Sequence, residues 1–242
     1  SDASLSAVGG RTAYGMGGGG RPGKGRGEDG MVSTGAIPPQ HPPWGTQVPL
    51  TWVTEGDPEY AALLTELRGF LDDVASARPA PEDSAALAQT LREWRTTLRE
   101  TATGEHGQVF GRRPDLPSRG STMLPDYVVH DVGEEAIEAD VRFGRYYLGG
   151  GEAVHGGAIP LVFDELLGTL VNFGTRPPSR TVRITVNFRA LTPLDRQLRM
   201  TGRIERVEGR KTYVSAQLID GQTVCADAEA LFLALDLRGL LT

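Results

Sequence analysis

The chain has 242 residues, enough for one or two domains, and 39% of them are apolar, which can form a real core. Its formal net charge of −6 argues against a general nucleic-acid-binding surface. The single cysteine, Cys225, excludes an intrachain disulfide, and no apolar run approaches the ~20 residues of a membrane-spanning helix. We therefore expect a soluble, cytoplasmic protein that binds no nucleic acid and does not span a membrane.

The first 45 residues differ in composition from the rest of the chain. They contain 13 of the 32 glycines, together with several prolines. Such a stretch buries too little apolar surface to offset the entropy lost on ordering, so a disordered tail is predicted over residues 1–45. Its glycine motifs match nucleotide-binding loops by letter only, because they neither follow a strand nor open a helix.

Two amphipathic helices are predicted in an N-terminal extension over residues 46–105. Asp57 and Pro58 are typical of a helix start, with a capping carboxylate followed by proline in the first turn. A proline-rich break at 78–81 separates the helices, and it is longer than the turn of a DNA-binding helix-turn-helix. The pair is interpreted as a hairpin packed on the main domain, and residues 106–126 as a linker. The two apolar faces comprise Leu63, Leu64, Leu67, Phe70, Leu71 and Val74 in the first helix, and Leu87, Ala88, Leu91, Trp94 and Leu98 in the second.

From residue 127 the apolar pattern changes to strand-like alternation. A strand over 137–143 is followed by a glycine-rich loop and a helix over 158–173, and then by four strands interpreted as an antiparallel meander. The helix is apolar on most of its circumference, which is typical of a buried helix. A curved antiparallel sheet wrapped around one long helix is the hotdog arrangement. The predicted fold class is therefore α+β, with a hotdog domain over residues 127–238 preceded by the two-helix segment.

Asp164 is a carboxylate on an otherwise apolar stripe of this helix. Burying it without a partner costs several kcal/mol or raises its pKa, so it needs a partner, a cap or a function. The two interpretations are a catalytic carboxylate and a structural aspartate bonded to backbone. Glu165, rotated by about 100° around the helix, is the second-choice carboxylate and a candidate substrate-binding residue.

The start of the same helix can bind developing negative charge. Gly156, Gly157 and Ala158 carry backbone N–H groups that a helix leaves without internal acceptors, and the helix dipole adds to their effect. A thioester carbonyl placed there is polarised, and its tetrahedral oxyanion is stabilised. Gly156 and Gly157 are therefore predicted to contact the substrate.

The sequence His155-Gly156-Gly157 followed by Asp164 resembles the signature of the PaaI-like hotdog thioesterases, over about residues 127–235. The resemblance implies hydrolysis of an acyl-CoA to the free acid and coenzyme A. It also implies a homodimer, or a dimer of dimers, whose sheets join edge to edge with each active site shared between subunits. One subunit gives the His155-Gly156 loop, with the Gly156 N–H on the carbonyl, and the other gives Asp164 as general base or nucleophile.

Two further positions follow from this resemblance. Thr181 falls where the family often has a serine or threonine that helps to hold the water. Some members have an asparagine in the loop before the histidine, but residues 148–152 contain none here. Polarisation of the carbonyl would then rest on backbone N–H groups. His155 is also a candidate catalytic residue: it could position the loop or act in acid–base chemistry, and positioning is favoured because Asp164 can serve as the base.

Several other roles remain open or are disfavoured. The remaining histidines lack metal-ligand spacing, so neither a metal nor a cofactor other than the coenzyme A of the substrate is expected. Cys225 has no evident paired base and is interpreted as structural. The alternative function is a non-catalytic sensor that binds acyl-CoA or acyl carrier protein, and a hotdog dehydratase is a third. The presence of Asp164 favours the enzyme, whose acyl group the sequence does not define.

Overall fold

A computed structural model describes residues 57–236 of the chain. The predicted tail, the beginning of the helical extension up to residue 56 and the last residues of the predicted domain, 237–238, lie outside this range. Within it, two helices precede a six-stranded antiparallel sheet and one long helix. These are α1 (Pro58–Ser76), α2 (Pro81–Glu100), β1 (Asp126–Val132), β2 (Ala136–Arg142), α3 (Ala158–Val171), β3 (Ser179–Phe188), β4 (Gln197–Glu208), β5 (Lys211–Asp220) and β6 (Thr223–Ala234).

The two N-terminal helices form where the sequence predicts them, but they pack differently. The side chain of Asp57 accepts the Glu59 N–H at 3.0 Å, which confirms the predicted cap of α1. Leu64 of α1 is buried, and the helix packs against the 3-10 turn Arg145–Tyr147. By contrast, α2 buries no residue within the described chain, and its apolar side is exposed at Leu87, Leu91, Trp94 and Leu98. The predicted packing on the main domain is therefore observed for α1 and not for α2.

The segment between α2 and β1 is packed rather than extended. It contains the 3-10 turns Glu105–Gly107 and Pro117–Gly120, and the second turn contacts β1. Arg113 is buried and forms a bidentate ion pair with Asp115, with N–O distances of 2.7 and 2.8 Å. This part of the predicted linker thus belongs to the folded body.

The strand order corrects one prediction. The sheet runs β1-β2-β4-β5-β6-β3, so β4, β5 and β6 form a meander, whereas β3 lies at the far edge beside β6. The predicted four-stranded meander is wrong for β3, because alternation indicates which side chains share a face of the strand and not which strand it pairs with. On this edge strand Val182 and Phe188 are each 57% exposed, although both belong to the apolar row of the alternating pattern in residues 182–189.

Helix α3 forms the centre of the core, which confirms the predicted hotdog arrangement. It contacts β2, β3, β4, β5 and β6. Each fully buried aliphatic or aromatic side chain contributes about 2 kcal/mol through removal from water. Gly202 on β4 allows close packing, since a Cβ there would lie 2.9 Å from Ile137 Cγ2 and 3.3 Å from Leu167 Cδ2. The buried residues of α3 are Ala158, Ile159, Val162, Phe163, Leu166, Leu167, Leu170 and Val171.

Candidate active site

Asp164 and Thr181 form a hydrogen-bonded pair. Asp164 lies half-buried on the second turn of α3, on the side that faces β3. The Thr181 hydroxyl, near the start of β3, donates to the Asp164 Oδ1 at 2.7 Å. The structure therefore brings together two of the predicted site residues. The carboxylate has a fixed orientation and a second oxygen that can accept a proton.

The loop before α3 is held in shape by its own backbone. The His155 N–H donates to the Tyr147 carbonyl at 2.7 Å, and Leu148 pairs with Val154 in an antiparallel bridge. The turn of this small hairpin contains Gly151 and Glu152, both with positive φ. The loop therefore presents His155 and the residues that follow it from a closed, hydrogen-bonded base.

The amides at the helix start are not equivalent. The Gly157 N–H donates to the His155 Nδ1 at 3.0 Å, and the Ala158 N–H donates to the His155 carbonyl at 2.9 Å. Both of these amides are therefore occupied by acceptor atoms of His155. Within residues 57–236, the Gly156 N–H has no hydrogen-bond acceptor, and Gly156 is exposed. Of the three predicted amides, that of Gly156 is the one able to polarise a ligand carbonyl.

Asp164 and Gly156 lie far apart within one chain. Asp164 is nearly two turns into α3, about 12 Å along the axis from Gly156. The contacts with edge strand β3 also indicate that the two groups are far apart. Asp164 contacts Thr181 near one end of the strand, while Phe188 at the other end lies 3.6 Å from the position of a Cβ on Gly156. These ends of β3 are about 20 Å apart. One small ligand group is therefore not expected to contact both residues of the same chain.

Glu165 has a different environment from Asp164. Its carboxylate is ion-paired with Arg119 and accepts the Tyr127 hydroxyl at 3.2 Å. Burial, reinforced by the negative charge of Glu165, raises the pKa of Tyr127 well above its usual range, so the phenol stays a donor. The structure therefore does not bring Glu165 together with Asp164 and Thr181. Its predicted contact with substrate stays a prediction, while its observed contacts fix α3 against the 3-10 turn Pro117–Gly120.

We expect Glu165→Gln to lower the free energy of unfolding by about 2 kcal/mol. The side chains of Arg119 and Glu165 are only 21% and 18% exposed, and neutralising one partner leaves the other charge poorly solvated. Equilibrium urea unfolding measures the change. Asp164→Asn, on the next residue of the same helix, is the matched control and should change stability by less than about 1 kcal/mol. Equal losses in both variants would contradict the structural role of the Arg119–Glu165 pair.

The sequence did not single out Arg119 or Tyr127. Arg119 lies in the predicted linker, and both it and Ser118 adopt φ of +52°, a strained left-handed conformation for residues other than glycine. Ser118 helps to hold this turn, since its hydroxyl accepts the Tyr127 N–H at 3.1 Å. Neither the linker composition nor the strand pattern indicates these long-range partners.

The single cysteine of the chain is poorly suited to act as a nucleophile. Cys225 is buried, and burial raises the pKa of its thiol, which disfavours the thiolate. Among residues 57–236, no group of three His, Cys, Asp or Glu side chains is placed to hold a metal ion.

No helix in this part of the chain is long and apolar enough to cross a membrane.

Comparisons with known proteins identify the same region of the chain. The family model of the thioesterase superfamily matches residues 151–226. Acyl-coenzyme A thioesterase THEM4 of Mus musculus is 34% identical over 86 residues, covering 34% of this chain and 36% of that protein. The Bos taurus protein of the same name is 30% identical over 114 residues, covering 46% of each. The chain thus spans less than half the length of these curated relatives.

A solved structure extends the similarity of fold beyond this region. The crystal structure of a thioesterase superfamily protein matches with a TM-score of 0.64 at 21% identity. It covers 74% of this chain and 96% of its own. This is more of the chain than the sheet and α3 occupy, so the shared fold includes part of the N-terminal helical region.

Proposed function

We propose that this protein hydrolyses acyl-CoA thioesters, because residues 151–226 match the family model of the thioesterase superfamily and form part of a hotdog fold. One observation carries the proposal: a carboxylate oriented by Thr181, together with a loop amide at Gly156 that has no acceptor within the described residues. These are the groups that thioester hydrolysis needs, a base for water and a donor for the oxyanion. Coenzyme A as the thiol component is supported by the names of the curated relatives.

The proposed reaction uses one water and needs no cofactor beyond the coenzyme A of the substrate. The carbonyl oxygen accepts the Gly156 N–H, and Asp164 takes a proton from water as the water oxygen attacks the carbonyl carbon. The tetrahedral oxyanion collapses, the C–S bond breaks, and the thiolate of coenzyme A leaves. The proton then passes from Asp164 to the thiolate, giving the free acid and the thiol. Direct attack by the Asp164 carboxylate is the alternative for the same group.

The distance between Gly156 and Asp164 favours an active site shared by two subunits. Edge strand β3 pairs with β6 on one side, so its other side can pair with a second copy of itself. An antiparallel pairing centred on Ile184 and Thr185 would bring the Thr181 end of one strand to the Phe188 end of the other. Asp164 of one subunit would then lie near the Gly156 loop of its partner, and the exposed Val182 and Phe188 would be covered. A homodimer, alone or paired into a tetramer, is therefore part of the proposal.

The test is release of free thiol from a panel of acyl-CoAs with short, medium, long and aryl acyl groups. Turnover of at least one member well above the uncatalysed rate would support the proposal and rank the acyl groups. Tight binding of acyl-CoA without turnover across the panel would contradict it and favour the sensor.

A further inference from the structure

Helix α1 is hydrogen-bonded to the 3-10 turn Arg145–Tyr147, which precedes the active-site loop. The Asp72 Oδ1 on α1 accepts the Tyr146 N–H at 2.8 Å. Gly144 makes this approach possible, since a Cβ there would lie 2.2 Å from the Asp72 Oδ2. A carboxylate on the N-terminal helix therefore holds the backbone of the 3-10 turn Arg145–Tyr147.

This turn is also where the active-site loop is fastened. The Tyr147 carbonyl, one residue after the amide that Asp72 holds, accepts the His155 N–H at 2.7 Å. Across the hairpin, the Gly149 N–H donates to the Ala153 carbonyl at 2.8 Å. A displacement of the turn would therefore be transmitted to His155 and to the adjacent Gly156 amide.

A second side chain on α1 connects the helix to residues 121–124, which in turn contact the 3-10 turn Arg145–Tyr147. Arg68, one turn before Asp72, donates to the carbonyls of Ser121 at 2.6 Å and Leu124 at 2.9 Å. The Tyr147 hydroxyl donates to the Met123 carbonyl of the same segment at 3.2 Å. Burial raises the pKa of Tyr147 to about 12, so the phenol retains its proton at neutral pH. The helix, residues 121–124 and the turn thus hold one another in place.

We propose that α1 braces the active-site loop, with Asp72 as a positioning residue for the Gly156 amide. The inference rests on the proposed role of that amide in thioester hydrolysis. Stabilisation of an oxyanion requires a donor that is already in position, and an error of about 1 Å can cost up to about 100-fold in rate. The brace lies outside residues 151–226, so it gives the N-terminal helix a role in a site formed by the C-terminal domain.

The experiment compares Asp72 variants of the full chain. Asp72→Ala removes the acceptor of the Tyr146 N–H, and we expect kcat to fall about tenfold with KM changed less than about twofold. Asp72→Asn retains a side-chain oxygen acceptor at the same place and should restore most of the rate. Asp73→Ala, on the neighbouring exposed residue of α1, is the matched control and should leave both constants unchanged.

Hydrogen–deuterium exchange provides a readout that does not depend on turnover. In Asp72→Ala, exchange should rise in residues 145–157 and stay unchanged in β5 and β6, whereas Asp73→Ala should match wild type. The brace would be overturned if exchange in residues 145–157 stayed unchanged in Asp72→Ala, or if it rose throughout the protein. It would also be overturned if kcat stayed unchanged, or if Asp72→Asn did not restore the lost kcat. If wild type hydrolyses no acyl-CoA, the proposed function fails. The brace is then tested separately by exchange alone, and it would be overturned if exchange in residues 145–157 did not rise in Asp72→Ala.

Discussion

Replacing Asp164 with Asn is expected to lower kcat for acyl-CoA hydrolysis by about 1000-fold. The amide retains the size of the carboxylate but cannot take a proton from water or attack the thioester carbon. The Thr181 hydroxyl can still donate to the amide oxygen at the position where it now donates to Oδ1, so the fold should persist. Thiol release under saturating substrate measures the change.

Two controls separate loss of the base from loss of the site. The Asp164→Asn protein should bind acyl-CoA with near wild-type affinity and unfold at a similar urea concentration. Glu165→Gln, one residue along α3, should be less stable but should retain most of its turnover. The Glu165 carboxylate contacts Arg119 and Tyr127 and not the proposed base. If Asp164→Asn remained active while Glu165→Gln did not, the assignment of the base would be wrong.

Two inactive variants are expected to restore activity to each other within one dimer. Gly156→Pro removes the loop N–H, and Asp164→Asn removes the base, so each homodimer should be nearly inactive. In a heterodimer, one site combines Gly156 from the Asp164→Asn subunit with Asp164 from the Gly156→Pro subunit. That site is wild type in both groups, so about half of wild-type activity should return because a two-fold dimer has two equivalent sites.

Co-expression of the two variants with different affinity tags, followed by purification on both, isolates the heterodimer for assay. Gly156→Ala is the matched control for the proline variant, since it keeps the N–H. Its Cβ would lie 3.6 Å from the Phe188 ring, an ordinary contact, so its homodimer should stay active. An inactive heterodimer assembled from folded subunits would show that both groups act within one chain.

The exposed face of β3 connects these two predictions. In the single chain, Val182 and Phe188 expose apolar surface to water, which is unfavourable. The unpaired backbone groups of the edge strand could also pair with other chains and cause aggregation. Pairing with a second copy would remove both problems while completing the site. The apolar row of β3 that is exposed in one subunit would then be covered by the second.

The amino-acid sequence by itself determined where the helices form and that α3 is buried. The carboxylate of Asp57 and the following proline predicted the start of α1, and the apolar circumference of α3 predicted the buried central helix. Asp164 was recognisable because a carboxylate among apolar neighbours is conspicuous on a helix. These signals are local, since solvation and capping act on residues within a few positions of one another.

The tertiary structure decided which of these elements meet. It placed β3 beside β6 rather than β4, paired Glu165 with Arg119, and joined Asp72 of α1 to the backbone of Tyr146. It also left one of three loop amides without an acceptor within the described residues. Periodicity does not contain this information, because a hydrogen bond between residues distant in sequence depends on the path of the intervening loops. The sequence therefore identified the chemical groups of the candidate site, and the fold determined how they are oriented and separated.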